Sequence, residues 1–310
     1  AAVSRPLVSV VVPTHARPRR LDRLLDAMAA QALDADSFEV IVVADGASPE
    51  TQRMLEDSPV RVLRLDPARG PAGARNAGWD AARAPYVAFI DDDCVPTPAW
   101  LKRLLGAAGP NHLVQGRTLP DPADAADDGL LSRTMRVETL GPHYETCNIL
   151  YPRAVLEALG GFDERYGFTP GGEDTDLAWR ALGTGCSAQL EPRALVHHAV
   201  ERLGARGMIK VAARWTATTR IFADHPQTRV MLYRGIFWNV WHYLLWRSLL
   251  SLLAPGWLRR MIITLHLVQL RRRCRQAGAG SWAVPFLVVH DTVECWAVAR
   301  GALRYRTPVL

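Results

Sequence analysis

The sequence lacks the features that would place it in several large classes. Its five cysteines, Cys94, Cys147, Cys186, Cys274 and Cys295, are odd in number and scattered, with no C-x-x-C pair. This argues against a disulfide framework and against a thiolate zinc site, and it fits a reducing compartment. No internal repeat, Walker A or G-x-G-x-x-G pattern is present, which disfavours the nucleotide folds built on those loops. No stretch offers the roughly 20 nearly uninterrupted apolar residues of a membrane span. Residues 236–254 are broken by Asn239, His242 and Arg247; 258–270 is short; 283–303 carries Asp291 and Glu294. At the N-terminus Leu7 to Val12 is a brief apolar run ending in Pro13, a buried strand rather than a signal peptide.

What is present is ordinary globular material, unevenly distributed. The 310 residues are 49% hydrophobic and 22% charged, which excludes wholesale disorder and allows one large domain or two modest ones. Residues 1–200 carry 20 basic against 27 acidic side chains; residues 201–310 carry 17 against 4, with seven of the ten tryptophans. The chain divides into an acidic front, 1–200, and a basic, Trp-rich helical back, 201–310.

In the front, Val/Ile-rich runs at 7–12, 38–44, 60–65 and 86–90 alternate with helical periods such as Arg19 to Gln31. That pattern predicts an α/β fold with a mostly parallel, Rossmann-like sheet covered by helices on both faces. Ligands of such sheets sit beyond the carboxyl ends of the strands. Pro13-Thr14-His15, Asp45-Gly46 and Asp91-Asp92-Asp93 follow three of these runs. TCNILY adds a strand and Pro152 to Leu159 a helix, while residues 118–129, rich in Pro, Asp and Ala, read as a loop.

The acidic runs carry the chemistry. Three adjacent carboxylates repel one another unless solvated or bound to a hard cation such as Mg²⁺ or Mn²⁺. Alternation along an extended segment would put Asp91 and Asp93 on one side, one for the metal and one for a sugar hydroxyl. Gly171-Gly172 introduces Glu173-Asp174-Thr175-Asp176 at the start of a predicted helix, where a carboxylate is a candidate general base. Arg69, Gly70, Gly73, Arg75, Asn76 and Gly78 form a glycine-studded loop leading into a helix, whose backbone and guanidinium donors suit a diphosphate. His197-His198 can supply an imidazole to the same metal.

In order along the chain, VSVVVPTHARP, VIVVADGA, GPAGARNAG, VAFIDDDC and GGFDERYGFTPGGEDTDLAWRALGTG resemble an inverting family 2 glycosyltransferase of the GT-A fold, over about residues 5–200. The resemblance implies that Thr14, Arg17 and Asp45 hold the nucleotide base and ribose, with Arg75 near the base or diphosphate. Asp91 and Asp93 become a D-x-D pair, Asp93 the metal ligand and Asp91 or Asp92 at the ribose. Asp174 becomes the base, Glu173 and Asp176 orient acceptor or donor sugar, and His198, or next His197, completes the metal site. It implies a nucleotide-diphospho-sugar donor, a divalent cation, and a glycan or lipid-linked acceptor. His15 stands where the family usually has tyrosine, and the Q-x-x-R-W motif of processive synthases is absent, which favours single additions. Residues 118–129 and Tyr166 to Gly172 are candidate lids.

In the back, clustered arginines beside aromatic and aliphatic faces describe helices lying on an anionic membrane surface, which places the enzyme in the cytoplasm, peripheral on the inner face of the cell membrane. The competing readings are a homodimer interface serving a soluble enzyme of small-molecule natural products, a non-catalytic nucleotide-sugar binder, and a nucleic-acid binder. No nucleic-acid motif accompanies the arginines, and aliphatic runs interrupt them, so no nucleic-acid partner is expected.

Overall fold

The computed structural model describes residues 5–56, 58–168 and 171–310. It divides into two compact units, residues 1–124 with 134–199, and residues 125–133 with 200–310.

The front unit is built on an eight-stranded sheet. Its strands are β1 (Val8–Thr14), β2 (Phe38–Asp45), β3 (Arg61–Leu65), β4 (Tyr86–Ile90), β5 (Cys94–Pro96), β6 (His112–Pro120), β8 (Asn148–Pro152) and β9 (Ser187–His198), while the two-residue β7 (Ser132–Arg133) pairs elsewhere. The spatial order is β3-β2-β1-β4-β8-β6-β9-β5. The first four strands are mutually parallel; β8 runs antiparallel to both β4 and β6, and β9 is parallel to β6 and antiparallel to β5. The sheet is therefore mixed, with the parallel half where the sequence predicts it.

Strand alternation sorts the core into two layers. Val8, Val10 and Val12 face one layer, packed with Leu21, Leu24 and Met28 of α1 (Pro18–Ala29) and with Trp100, Leu101 and Leu104 of α4 (Trp100–Gly106). Val11, Ile41, Val43 and Phe89 face the other, with α5 (Arg153–Leu159) and α6 (Glu173–Gly183) behind them. A short helix, α2 (Pro49–Glu56), follows β2.

The structure corrects two readings of the sequence. The glycine-studded segment is not a loop: Gly70–Asp80 is helix α3. Its glycines serve close packing instead, since a Cβ on Gly78 would lie 2.3 Å from Val11 Cγ1 and 3.1 Å from Val43 Cγ2. Residues 118–129 are not loop throughout either, because Thr118 to Pro120 belong to β6 and Pro122–Asp127 form a 3-10 helix. Asp121 ties that segment down, its N–H donating to the His198 carbonyl and its carboxylate pairing with Arg23 at 2.6 Å.

The back unit is helical. It comprises α7 (Gly204–Ala212), α8 (Ile221–Asp224), α9 (Val240–Leu250), α10 (Gly256–Gln276) and α11 (Val284–Arg304), with β7 paired to β10 (Glu201–Arg202). Asn239 caps α9 by accepting from the N–H groups of Trp241 and His242. Buried polar pairs join the long helices: His242 and Asn239 meet Glu294, and Arg273 meets Asp291. Among the described residues no helix is long and apolar enough to cross a membrane.

Gly78→Val should destabilise the chain by about 1–3 kcal/mol through overpacking, read as a lower melting temperature by circular dichroism. Gly106→Ala, at a helix end where an added Cβ meets nothing within 4 Å, should leave the melting temperature unchanged or raise it.

Candidate functional site

One edge of the front sheet collects the chemistry-bearing residues. The parallel strands β1, β2 and β4 deliver Thr14, Asp45 and the Asp91–Asp93 run at their carboxyl ends. Because β8 is antiparallel, with Asn148 opposite Ile90, the residues just before it arrive at that same edge. His198 closes β9 opposite Cys94.

Asp91 to Asp93 do not continue the strand. The Cys94 N–H donates to the Asp91 carbonyl at 3.1 Å, closing a turn that points the three carboxylates differently from simple alternation. Asp91 turns to Arg75, whose Nη2 donates to Oδ1 at 2.8 Å. Asp92 and Asp93 share Arg17, at 3.0 and 2.8 Å, and Arg20 lies 3.7 Å from Asp93. Thr14 Oγ1 donates to Asp92 at 2.7 Å. Burial, together with Asp93 alongside, pushes Asp92 up to about 6 against the pull of Arg17 and Thr14. Burial would raise Asp91 too, but the Arg75 charge and hydrogen bond, with His198 and Arg17, hold it below the usual carboxylate range.

Arg75 is the joint of the site. It projects from α3, is buried, and reaches Asp91 with one amino group and Glu173 Oε1 with the other, at 3.3 Å. Burial opposes its charge, yet Asp91, Glu173 and Asp174 raise its pKa above that of a free guanidinium. The two acidic runs, some eighty residues apart in sequence, meet here.

Glu173 is also tied to the chain before α6, its Oε2 accepting from the Gly171 N–H at 2.8 Å. Gly172 takes a left-handed φ of +105°, and the place of its missing Cβ lies 2.7 Å from the Tyr166 ring. Thr169 and Pro170, within the second expected lid, lie outside the described residues. Asp174, half-buried on the first turn of α6, accepts from the Thr175 N–H at 2.8 Å. Burial, then the neighbouring charges of Glu173 and Glu145, pushes its carboxyl up to about 8, against the opposing effects of Arg75 and the Thr175 N–H. Asp176, one residue beyond Thr175, pairs with Arg180 at 2.8 Å, and Arg180 donates to the carbonyls of Leu159 and Gly161. It anchors α6 to the chain after α5.

Asp45 accepts from the N–H groups of Arg69 and Gly70, at 2.6 and 2.8 Å, and so caps the start of α3. His15 Nδ1 lies 2.7 Å from the Asp45 carbonyl oxygen, locking the ends of β1 and β2 together.

A cation site can be tested on the residues themselves. His198 Nδ1 donates to the Ala199 carbonyl at 2.8 Å, which leaves Nε2 of the neutral ring as a lone pair. That lone pair lies 3.4 Å from Asp93 Oδ1, a buried oxygen with no hydrogen-bond partner. Two acceptors facing one another are stabilised by a proton or a cation between them. Cys94 completes the group, but burial raises its thiol well above the ordinary range, so the hard donors are Asp93 and His198. These fit a divalent cation. Asp91 is engaged by Arg75, and His197, one position back on β9, falls on the opposite face by strand alternation.

Sequence reasoning missed Glu145, and with it Arg20. Glu145 precedes β8; the available signal was the strand's direction, since an antiparallel β8 presents its amino end at the edge where its neighbours present their carboxyl ends. Burial raises its carboxyl as well, against the effect of His143.

Residues 9–157 match the family model Glycosyl transferase family 2. Residues 9–157 thus form a glycosyl transferase family 2 segment. It is 31% identical over 209 residues to the pre-mycofactocin glycosyltransferase of Mycobacterium tuberculosis (strain CDC 1551 / Oshkosh), an alignment covering 62% of this chain and 42% of that protein. It is 29% identical over 217 residues to the validoxylamine A glucosyltransferase of Streptomyces hygroscopicus subsp. jinggangensis, covering 56% and 51%. The chain thus spans about half the length of these curated relatives. Among solved structures, the mannosyltransferase PcManGT from Pyrobaculum calidifontis, in complex with GDP-Man and Mn²⁺, aligns with TM-score 0.56 and 19% identity over 97% of this chain and 87% of that one. That likeness shows the fold, and the GT-A arrangement expected of a family 2 member is the one observed, followed by a helical region.

Arg75→Met should destabilise the chain by about 3–5 kcal/mol, because it leaves the Glu173 and Asp91 carboxylates without their buried partner; chemical denaturation reads this. Asp174 carries the opposite liability. Its folded pKa, about 8, exceeds the ordinary 3.8, so the stability it lends is present below about pH 4 and lost as pH rises through about 8. Asp174→Asn should therefore raise the melting temperature relative to the parent at about pH 9 and change it little at about pH 4.

Proposed function

We propose that this chain is a metal-dependent, inverting glycosyltransferase that moves a sugar from a nucleotide-diphospho-sugar to an acceptor hydroxyl. The observation that carries the reading is the convergence, through Arg75, of the Asp91–Asp93 turn and the start of α6. A cation-binding pair and a basic carboxylate thereby share one sheet edge.

In this reading Thr14, Arg17 and Asp45 hold the base and ribose, with Asp91 or Asp92 at the ribose hydroxyls. Asp93 and His198 hold Mg²⁺ or Mn²⁺, which when bound neutralises charge on the departing diphosphate. Arg75 contributes a fixed positive charge at that edge, preorganised by two carboxylates so that it does not reorient during the reaction. Glu173 and Asp176 set the orientation of α6 and of the sugars presented to it. Asp174 accepts the proton of the attacking hydroxyl. Its carboxyl, pushed up to about 8, is a far stronger base than a solvated aspartate. A single base matches one displacement with inversion at the anomeric carbon.

The acceptor we propose is a lipid-linked or cell-envelope glycan, met in the cytoplasm at the inner face of the membrane. The support is the back unit, whose arginines lie among exposed Leu253, Trp257, Trp282 and Trp296. A second reading, a soluble enzyme of natural products with the back unit as a homodimer interface, is favoured by the likeness to validoxylamine A glucosyltransferase.

Asp93→Ala should abolish Mn²⁺-dependent donor binding, measured by calorimetry across a panel of nucleotide sugars. Asp174→Asn should keep donor affinity while transfer falls about 10²–10⁴-fold. Unchanged turnover in that variant would remove Asp174 from its role.

A further inference from the structure

The back unit holds a feature that sugar transfer does not use. Between α9 and the start of α10 lies a pocket of ≈ 310 Å³, lined by Phe237, Tyr243, Trp246, Leu250 and Ile262 together with Arg247. Its volume is that of a small-molecule site, ~300–1,000 Å³, and its walls are almost wholly apolar. Arg247 is the one charged group in that lining. Its Nε is buried without a hydrogen-bond partner, and its guanidinium lies over the Tyr243 ring, 5.8 Å from the centroid.

The surface beside the pocket is apolar and open. Leu252 and Leu253, between α9 and α10, are 56% and 90% exposed, Trp257 in the first turn of α10 is 70% exposed, and Met261 and Leu265 continue the stripe along α10 at four-residue spacing. Such a patch is unfavourable in water and marks a contact surface. Its charge says which kind. Arg259 and Arg260 lie in the first turn of α10, exposed and without acidic partners among the described residues, and Arg271, Arg272 and Arg275 near its far end are likewise exposed. Apolar side chains that enter a headgroup region, on a helix that also carries exposed guanidinium groups, complement an anionic lipid surface. Guanidinium groups also bind phosphate through paired N–H donors, which suits lipid headgroups.

We propose that the α9–α10 corner docks on an anionic bilayer and that the adjoining pocket takes a hydrocarbon chain of one anionic lipid, with the lipid phosphate on Arg247. This rests on the membrane-facing reading above and adds to it a defined lipid site. The exposed leucines and Trp257 enter the interface, Arg259 and Arg260 contact headgroups, and Arg247 takes the phosphate nearest the pocket.

The test uses the full chain and vesicles of phosphatidylcholine with or without an equal part of phosphatidylglycerol. The chain should float with the anionic vesicles and not with the neutral ones, less so as salt is added. Arg259→Gln and Arg260→Gln should each weaken binding about fivefold, and joint Leu253→Ser and Trp257→Ser about tenfold or more. Lipids brominated on the acyl chain should quench tryptophan fluorescence in the parent and less in Trp257→Phe. For the pocket, native mass spectrometry should find one phosphatidylglycerol retained per chain, lost in Arg247→Gln and in the pocket-filling Ile262→Trp. Circular dichroism melts confirm that the variants fold. Equal flotation on neutral vesicles, or a concentration-dependent dimer that buries Trp257 instead, overturns the docking surface. Undiminished lipid retention in folded Arg247→Gln and Ile262→Trp overturns the pocket. Asp174→Asn should float like the parent, so loss of sugar transfer and loss of lipid binding remain separable failures.

Discussion

The candidate site depends on one buried guanidinium. Arg75 bridges Asp91 and Glu173, and without it the Asp91–Asp93 turn and the start of α6 would be two like-charged surfaces pressed together. Desolvating a cation and two carboxylates is strongly unfavourable, so the arrangement persists only because each charge has a partner. The consequence extends past Arg75 itself. It permits Asp174 to sit half-buried beside Glu173 and near Glu145, and burial first, then those two charges, make Asp174 basic. Structural cohesion and chemical potency are the same interaction viewed from two residues.

The other end of the acidic turn obeys a complementary rule. Arg17 neutralises Asp92 and one oxygen of Asp93, while the second Asp93 oxygen faces the His198 lone pair without a hydrogen bond. Two acceptors confronting each other are stabilised when a proton or a cation lies between them. The turn thus gives its three carboxylates separate roles. Asp91 holds Arg75, Asp92 takes Thr14 and Arg17, and Asp93 shares Arg17 and faces the His198 ring. The back unit distributes its charge differently. Two of its few carboxylates are engaged inside, Glu294 with His242 and Asp291 with Arg273, while Arg259, Arg260, Arg271, Arg272 and Arg275 of α10 are exposed.

Much of this was legible along the chain. The strands β1, β2 and β4 were readable because both their faces are largely buried, which writes them as continuous Val/Ile runs. β9 was not, since its first half is only partly buried and Pro192 interrupts the short alternation of Ala188 and Leu190. The segment from Gly70 to Gly78 looked like a phosphate loop because glycine permits both a loop and a helix pressed against a sheet; only the closeness of Val11 decides for the helix. Thr14, Asp91 to Asp93, Glu173, Asp174 and His198 were singled out by residue type and position along the chain, and Arg17 only by the family resemblance. Glu145 was overlooked because its place depends on the direction of β8, which its own residues do not encode.

The sequence by itself determined which segments are strands buried on both faces, where charge and tryptophan accumulate, and which carboxylates stand at element ends, because these follow from local periodicity and composition. Tertiary structure alone decided which of those carboxylates faces His198, which are paired with arginines, and which one becomes basic. Those outcomes are set by burial and by distances between residues far apart in the chain, and a neighbour's charge acts through space rather than along the backbone.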